Sequence, residues 1–124
     1  MNPVNWFEIA VTDMDRAVQF YEYVFEVKLH VNQMGPLQMA MFPMNPESPG
    51  ATGALVYHPD FYKPSNEKGS LLYFTCSDVA ITLDRIREKN GEILVEKKLI
   101  AEGAGYMGLF IDSEGNRMAL HSNA

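Results

Sequence analysis

Apolar and polar positions follow the same order twice along this chain. Residues 4–12 read as a strand with alternating faces: Phe7, Ile9 and Val11 on one, Trp6, Glu8 and Ala10 on the other. Asp13 then offers a carboxylate to the free N–H groups of a first helical turn. Met14, Ala17, Val18, Tyr21, Val24 and Phe25 recur at steps of three and four, the apolar stripe of one helix. Residues 27–31 and 37–44 read as strands around a Met34-Gly35-Pro36 turn. Pro43, Pro46, Pro49 and Gly50 mark a loop, and residues 53–58 a fourth strand. Residues 59–69, with Pro59, Pro64, Ser65, Asn66 and Gly69, read as a linker.

The order then repeats. Residues 71–76 form a strand, and 79–89 a helix with Val79, Leu83 and Ile86 on one face. Asn90-Gly91 is a left-handed stop. Strands follow at 93–100, 105–111 and 117–121, the last two joined by Ser113-Glu114-Gly115-Asn116. The strand from Trp6 to Asp13 falls on Leu71 to Asp78 at an offset of 65 residues, and Gly53-Ala54-Leu55-Val56 falls on Met118-Ala119-Leu120-His121 at the same offset. A repeat that occurs only twice is not a solenoid. It predicts an α+β fold of two tandem βαβββ modules in one domain over residues 1–124. Module one covers about 1–58, the linker 59–69 and module two 70–124. Each helix covers one face of its sheet, and the surface between the modules is the expected place for a ligand.

Composition narrows the options. The chain has 124 residues, 47% hydrophobic and 21% charged, which suits one globular domain with a real core. No stretch approaches the roughly 18 apolar residues of a membrane span. With no basic-then-apolar opening segment and a single Cys76, a cytoplasmic location without membrane association is expected. A net charge of −6 leaves no basic footprint, so nucleic acid is not an expected partner.

The face that carries Glu8 suits an enclosed surface better than a dry core. By the repeat it also holds Leu71, Tyr73, Thr75, Ala54, Val56, His58, Arg117, Ala119 and His121. A carboxylate amid apolar neighbours is costly unless neutral or paired. Burial would raise its pKa and suit it as a general base, whereas pairing with Arg117 would lower it and make it structural. His121 could act as acid/base or bind an anion, or could be an ordinary hydrogen-bonder at a strand end. Trp6 and Tyr73 would give aromatic walls for a planar or hydrophobic ligand, with His58 and Arg117 as further ligand contacts. Met34, Met39, Met41 and Met44 could line an adaptable surface or fill an irregular core, and their faces stay open at this stage. Gly103, Gly105 and Gly108 flank Tyr106 without the ending of a phosphate loop and read as a mobile, lid-like segment. Cys76 reads as an inert core thiol and His30 as a surface residue.

The chain resembles the vicinal-oxygen-chelate superfamily, which includes glyoxalase I, the extradiol dioxygenases and the bleomycin-resistance binding proteins. The resemblance rests on Phe7-Glu8-Ile9-Ala10-Val11-Thr12-Asp13-Met14-Asp15-Arg16-Ala17-Val18-Gln19-Phe20-Tyr21 and on Ile111-Asp112-Ser113-Glu114-Gly115-Asn116-Arg117-Met118-Ala119-Leu120-His121-Ser122. Gly53-Ala54-Leu55 and the strand end from Tyr73 to Asp78 also fit. It implies paired modules around an open, U-shaped cavity. In metal-dependent members, the first and last strands of each module supply His or Glu ligands. Here those positions are Trp6, Leu71, Ala54 and Ala119, none of which binds a divalent cation. No metal and no other cofactor is therefore expected, the alternative being a displaced set of Glu8, His58 and His121. The resemblance further implies a homodimer that handles a small organic molecule. One form is a glyoxalase-like lyase or isomerase with Glu8 as base and His121 or Tyr73 polarising an oxygen. A second is a non-catalytic, drug-sequestering protein gripping its ligand with Trp6 and Tyr73. A third is a structural dimer with a vestigial cavity.

Overall fold

The computed structural model describes residues 1–124. The first module runs β1 (Trp6–Ala10), α1 (Met14–Phe25), β2 (His30–Met34), β3 (Leu37–Met41) and β4 (Thr52–Tyr57). The second repeats it as β5 (Tyr73–Thr75), α2 (Val79–Glu88), β6 (Glu92–Ala101), β7 (Gly105–Ile111) and β8 (Arg117–Ser122). Each module holds one four-stranded sheet, ordered β1-β4-β3-β2 and β5-β8-β7-β6. First and last strands pair in parallel, and the remaining neighbours are antiparallel. The α+β fold of two βαβββ modules is the one the repeat predicts.

Helix boundaries follow local chemistry. Asp13 Oδ1 accepts from Arg16 N at 3.1 Å, and Asp78 Oδ1 from Ala80 N at 2.9 Å, so both helices start on an aspartate cap. Asn90 adopts the left-handed conformation (φ 63°), as the Asn90-Gly91 stop requires. Glu26 also does so (φ 54°), although nothing in its residue type announces it. This tight stop explains why β2 starts at His30 rather than at residue 27. Val27 N donates to Glu22 O at 3.3 Å and Leu29 N to Glu22 Oε2 at 2.8 Å, so neither is free for a ladder. The third strand ends at Met41, two residues before Pro43, which has no N–H to give.

The alternation of β1 separates two apolar regions. Ile9 and Val11 join Met14, Ala17, Phe20, Tyr21 and Val24 in one buried cluster, to which module two contributes Val79, Leu83, Ile86, Phe110, Met118 and Leu120. The two helices thus share a single core. On the other face, Met39, Ala54 and Val56 form a small cluster with Trp6, Leu37, Met41 and Tyr62. This settles the methionine faces: Met39 and Met41 line the second surface, while Ala40 and Phe42 point into the shared core.

A polar seam joins the modules beside that core. The Glu114 side chain is fully buried, and its Oε1 accepts from Thr12 N and Asp13 N, both at 2.9 Å, and from Thr12 Oγ1 at 3.1 Å. Arg16 Nε donates to Oε2 at 2.7 Å and Ser113 Oγ at 3.0 Å. Burial opposes ionisation here, but Arg16, the two backbone N–H groups and Ser113 outweigh it and hold the carboxyl down from 4.5 to about 2. Tyr21 OH donates to Asp112 Oδ2 at 2.6 Å. Asn116 Nδ2 donates to Ala10 O at 2.8 Å, and Asn116 Oδ1 accepts from Ser65 N at 3.2 Å, tying the linker to both modules.

Candidate functional site

β1 and β5 are edge strands of their sheets. Residues 4–7 and 72–75 line a cavity of about 680 Å³ between the modules. Loop residues 42–46 and 48–52 build the opposite wall, and Phe25 and Val27 close it where α1 ends. The inner side is a packed ring cluster. Phe25 stacks on Phe74 with centroids 4.6 Å apart, and Phe7 meets Phe42 at 5.6 Å and Phe74 edge-on at 5.8 Å. These rings fix the walls, so the cavity is shaped by the fold and not by mobile side chains alone. No Asp, Glu, Lys, Arg or His lines it; its polar groups are Asn5, Asn45, Ser48, Thr52, Tyr73 and Thr75.

The expected site residues divide. Trp6 and Tyr73 both line the cavity, one from each module, and Tyr73 is about half exposed. Glu8 lies two residues along β1 from Trp6, on the same face but outside the cavity lining. Trp6 Nε1 donates to Glu8 Oε2 at 3.3 Å, and Tyr62 OH donates to Glu8 Oε1 at 2.6 Å. That hydrogen bond, with a smaller part from burial, raises the Tyr62 hydroxyl above its ordinary range. Glu8 and Arg117 form no ion pair; the Arg117 backbone N–H donates to Ser65 O at 3.3 Å. His58 Nδ1 accepts from Asp60 N at 3.1 Å, and its ring packs on Phe61. His121 Nε2 sits 2.8 Å from Ala104 O and pins the turn between β6 and β7. The turn expected as a mobile lid is thus tied to β8. No three His, Cys, Asp or Glu side chains converge on a point, so Glu8, His58 and His121 do not form a ligand set.

The four positions that the resemblance implies for metal ligands do not fit a cation either. Ala54 and Ala119 are fully buried methyl groups, and Trp6 and Leu71 have no oxygen or imidazole to offer. Cys76 is half-buried against the shared core, where burial pushes its thiol up, as suits an unreactive thiol.

Two contributors escaped the sequence reading. Tyr62 lies in the linker and returns over module one, a long-range contact with no periodic signal. Loop residues 43–51, read only as punctuation by their prolines, supply much of the cavity wall.

A family model described as the Glyoxalase/Bleomycin resistance protein/Dioxygenase superfamily matches residues 4–120, and the chain belongs to that superfamily. Solved structures share its fold. Glyoxalase I from Zea mays superposes with a TM-score of 0.76 at 22% identity, over 96% of this chain and 44% of the maize chain. The chain thus spans less than half the length of that enzyme. A glyoxylase/bleomycin resistance protein/dioxygenase domain from Frankia sp. EAN1pec matches over 100% of this chain and 99% of its own, with a TM-score of 0.76 at 13% identity. TnmS3, an antibiotic binding protein from Streptomyces sp. CB03234, matches over 100% and 98%, with a TM-score of 0.72 at 20% identity. No curated protein sequence matches the chain. No helix is long and apolar enough to cross a membrane.

Proposed function

We propose that the chain is a glyoxalase-like binding protein that holds a small aromatic or largely apolar molecule between its modules, without the usual divalent-metal site. The carrying observation is the cavity lining: aromatic, proline and methionine side chains with hydroxyl and amide groups, and no charged or imidazole side chain. Such a wall grips rings by stacking and excludes water, and a few neutral polar groups orient the ligand. Chemistry on a bound molecule needs an activated acid, base, nucleophile or metal within reach, and the hydroxyls of Ser48, Thr52, Tyr73 and Thr75 have no His, Asp, Glu, Lys or Arg beside them in the lining to activate them. The antibiotic-binding likeness supports the same reading at the level of the fold. The enzymatic alternative, with Glu8 as base and Tyr73 or His121 polarising an oxygen, draws its support from Glu8 lying beside Trp6 on the same strand face. The exposed apolar side chains Val31 and Met34 on β2, and Leu94, Leu99 and Ile100 on β6, support a homodimer.

The chain has one tryptophan, and it lies in the cavity wall, so its fluorescence reports occupancy. 1-Naphthalenemethanol, neutral and aromatic, should bind saturably by Trp6 fluorescence and by calorimetry. Tyr73→Ala should weaken it about tenfold, the worth of one stacking wall. A linear, unsaturable signal, or a Tyr73→Ala variant that binds equally well, refutes the cavity as the ligand site.

A further inference from the structure

We propose that Glu8, Trp6 and Tyr62 form a cation-accepting subsite next to the cavity, so that the ligand carries a protonated amine beside its aromatic body. This deepens the cavity reading above and rests on it. The arrangement has three parts. The first is a carboxylate without a cation. As for 11 of the 16 Asp and Glu residues, no Lys, Arg or His nitrogen lies within 4.0 Å of Glu8; what sets it apart is the pair of donors it does have. Its only hydrogen-bond partners are two aromatic donors, Trp6 Nε1 and Tyr62 OH, one on each oxygen. Each oxygen keeps a lone pair for another donor.

The second part is the surroundings. The carboxylate stands on the face formed by Leu37, Met39, Met41, Ala54 and Val56. The carboxylate itself is exposed, so a cation reaches it directly and their attraction is screened by water and salt. Indole and phenol present their N–H and O–H edges to the carboxylate and hold it in place. A positioned carboxylate with free lone pairs prefers an ammonium to a neutral group. The third part is continuity. Trp6 belongs both to the cavity wall and to the Glu8 cluster. One strand repeat of two residues covers about 7 Å, the reach of a ring and a short arm. A ring held between Trp6 and Tyr73 would carry an amine on such an arm to Glu8.

Two probes with the same ring separate this from the cavity reading: 1-naphthylmethylammonium and 1-naphthalenemethanol, titrated at pH 7 by Trp6 fluorescence and calorimetry. The wild type should bind the ammonium about three- to fivefold more tightly, the worth of an exposed charge pair. That advantage should shrink as NaCl rises, a test that needs no variant. Glu8→Gln should abolish the preference, read as the ratio of the two affinities within the same variant. Glu8→Asp, checked by its melting curve, should keep part of the preference. Equal binding of both probes by the wild type, or a preference that survives Glu8→Gln, overturns the subsite while the cavity reading stands. Binding of neither probe overturns both.

Discussion

The buried Glu114 carboxylate gives a prediction whose size can be worked from the structure. It accepts hydrogen bonds from Thr12, Asp13, Arg16 and Ser113 and is held at about 2 rather than 4.5. A depression of that size corresponds to about 3 kcal/mol of folding free energy. Arg16 is half exposed, so its part is screened, and about 2–3 kcal/mol is the expected contribution. The sign follows from the direction. A depressed carboxyl stabilises fully above its unfolded value of about 4.5, and the contribution drains away as pH falls towards 2. Glu114→Gln keeps the shape and one acceptor but removes the charge. Urea unfolding at pH 7 should show the variant about 2–3 kcal/mol less stable. The gap should shrink to roughly 40% of its pH 7 value at pH 3 and to about a quarter at pH 2.5. Asp112, raised mainly by burial, works in the opposite direction, favouring the folded state as pH falls. It is present in both proteins and largely cancels in their difference. A gap at pH 2.5 as large as that at pH 7, or a gap under about 0.5 kcal/mol at pH 7, refutes the assignment of charge-assisted clamping to Glu114.

Other positions give sharper yes-or-no tests. Gly53 lies opposite Phe7 in the parallel pair, and a Cβ there would collide with the Phe7 carbonyl oxygen and ring. Gly53→Ala should therefore cost about 3 kcal/mol and lower Tm by on the order of 10 °C; an unchanged melting curve would show that β1 and β4 can separate freely. Tyr21 is fully buried and donates to Asp112 at 2.6 Å. Tyr21→Phe keeps the ring packing but leaves the carboxylate one donor short, so urea unfolding should show a loss of about 1–3 kcal/mol, and a neutral result would mean that water or Asn116 takes the place of the hydroxyl.

Much of the architecture was legible because it depends on period. The alternation from Trp6 to Val11 assigns both faces of β1, and the stripe from Met14 to Phe25 orients α1, since burial of one face is what each pattern encodes. Asp13 was readable as a cap because its chemistry is local. What the chain hid depends on contacts between distant residues. Glu114 reads as a polar turn residue, yet its donors Thr12, Asp13 and Arg16 lie 98–102 residues away. Tyr62 reaches Glu8 across 54 residues from a segment without any pattern. The histidines illustrate a different limit. Thr75 and His121 are register partners, so His121 is on the face the repeat assigns. Its ring nevertheless turns to the carbonyl of Ala104. A face follows from alternation, but the partner a side chain selects on that face does not. The cavity was expected between the modules because the repeat implies a seam; its loop wall, built largely from prolines, has no periodic signature to read.

The clamp between Thr12 and Glu114 also bears on how the chain comes into being. Its two ends are 102 residues apart. At roughly 5–20 residues per second, the first strand leaves the ribosome about 5–20 s before the carboxylate that holds its end is synthesised. During that interval α1 has its own sheet but lacks Val79, Leu83, Ile86, Phe110 and Leu120, the partners that complete its core. Module one emerges with a greasy flank open to the cell, and chaperones that shield such surfaces have their opportunity in that window. Emergence of the segment from Phe110 to Leu120 then closes core, seam and linker together, so module one is completed by module two.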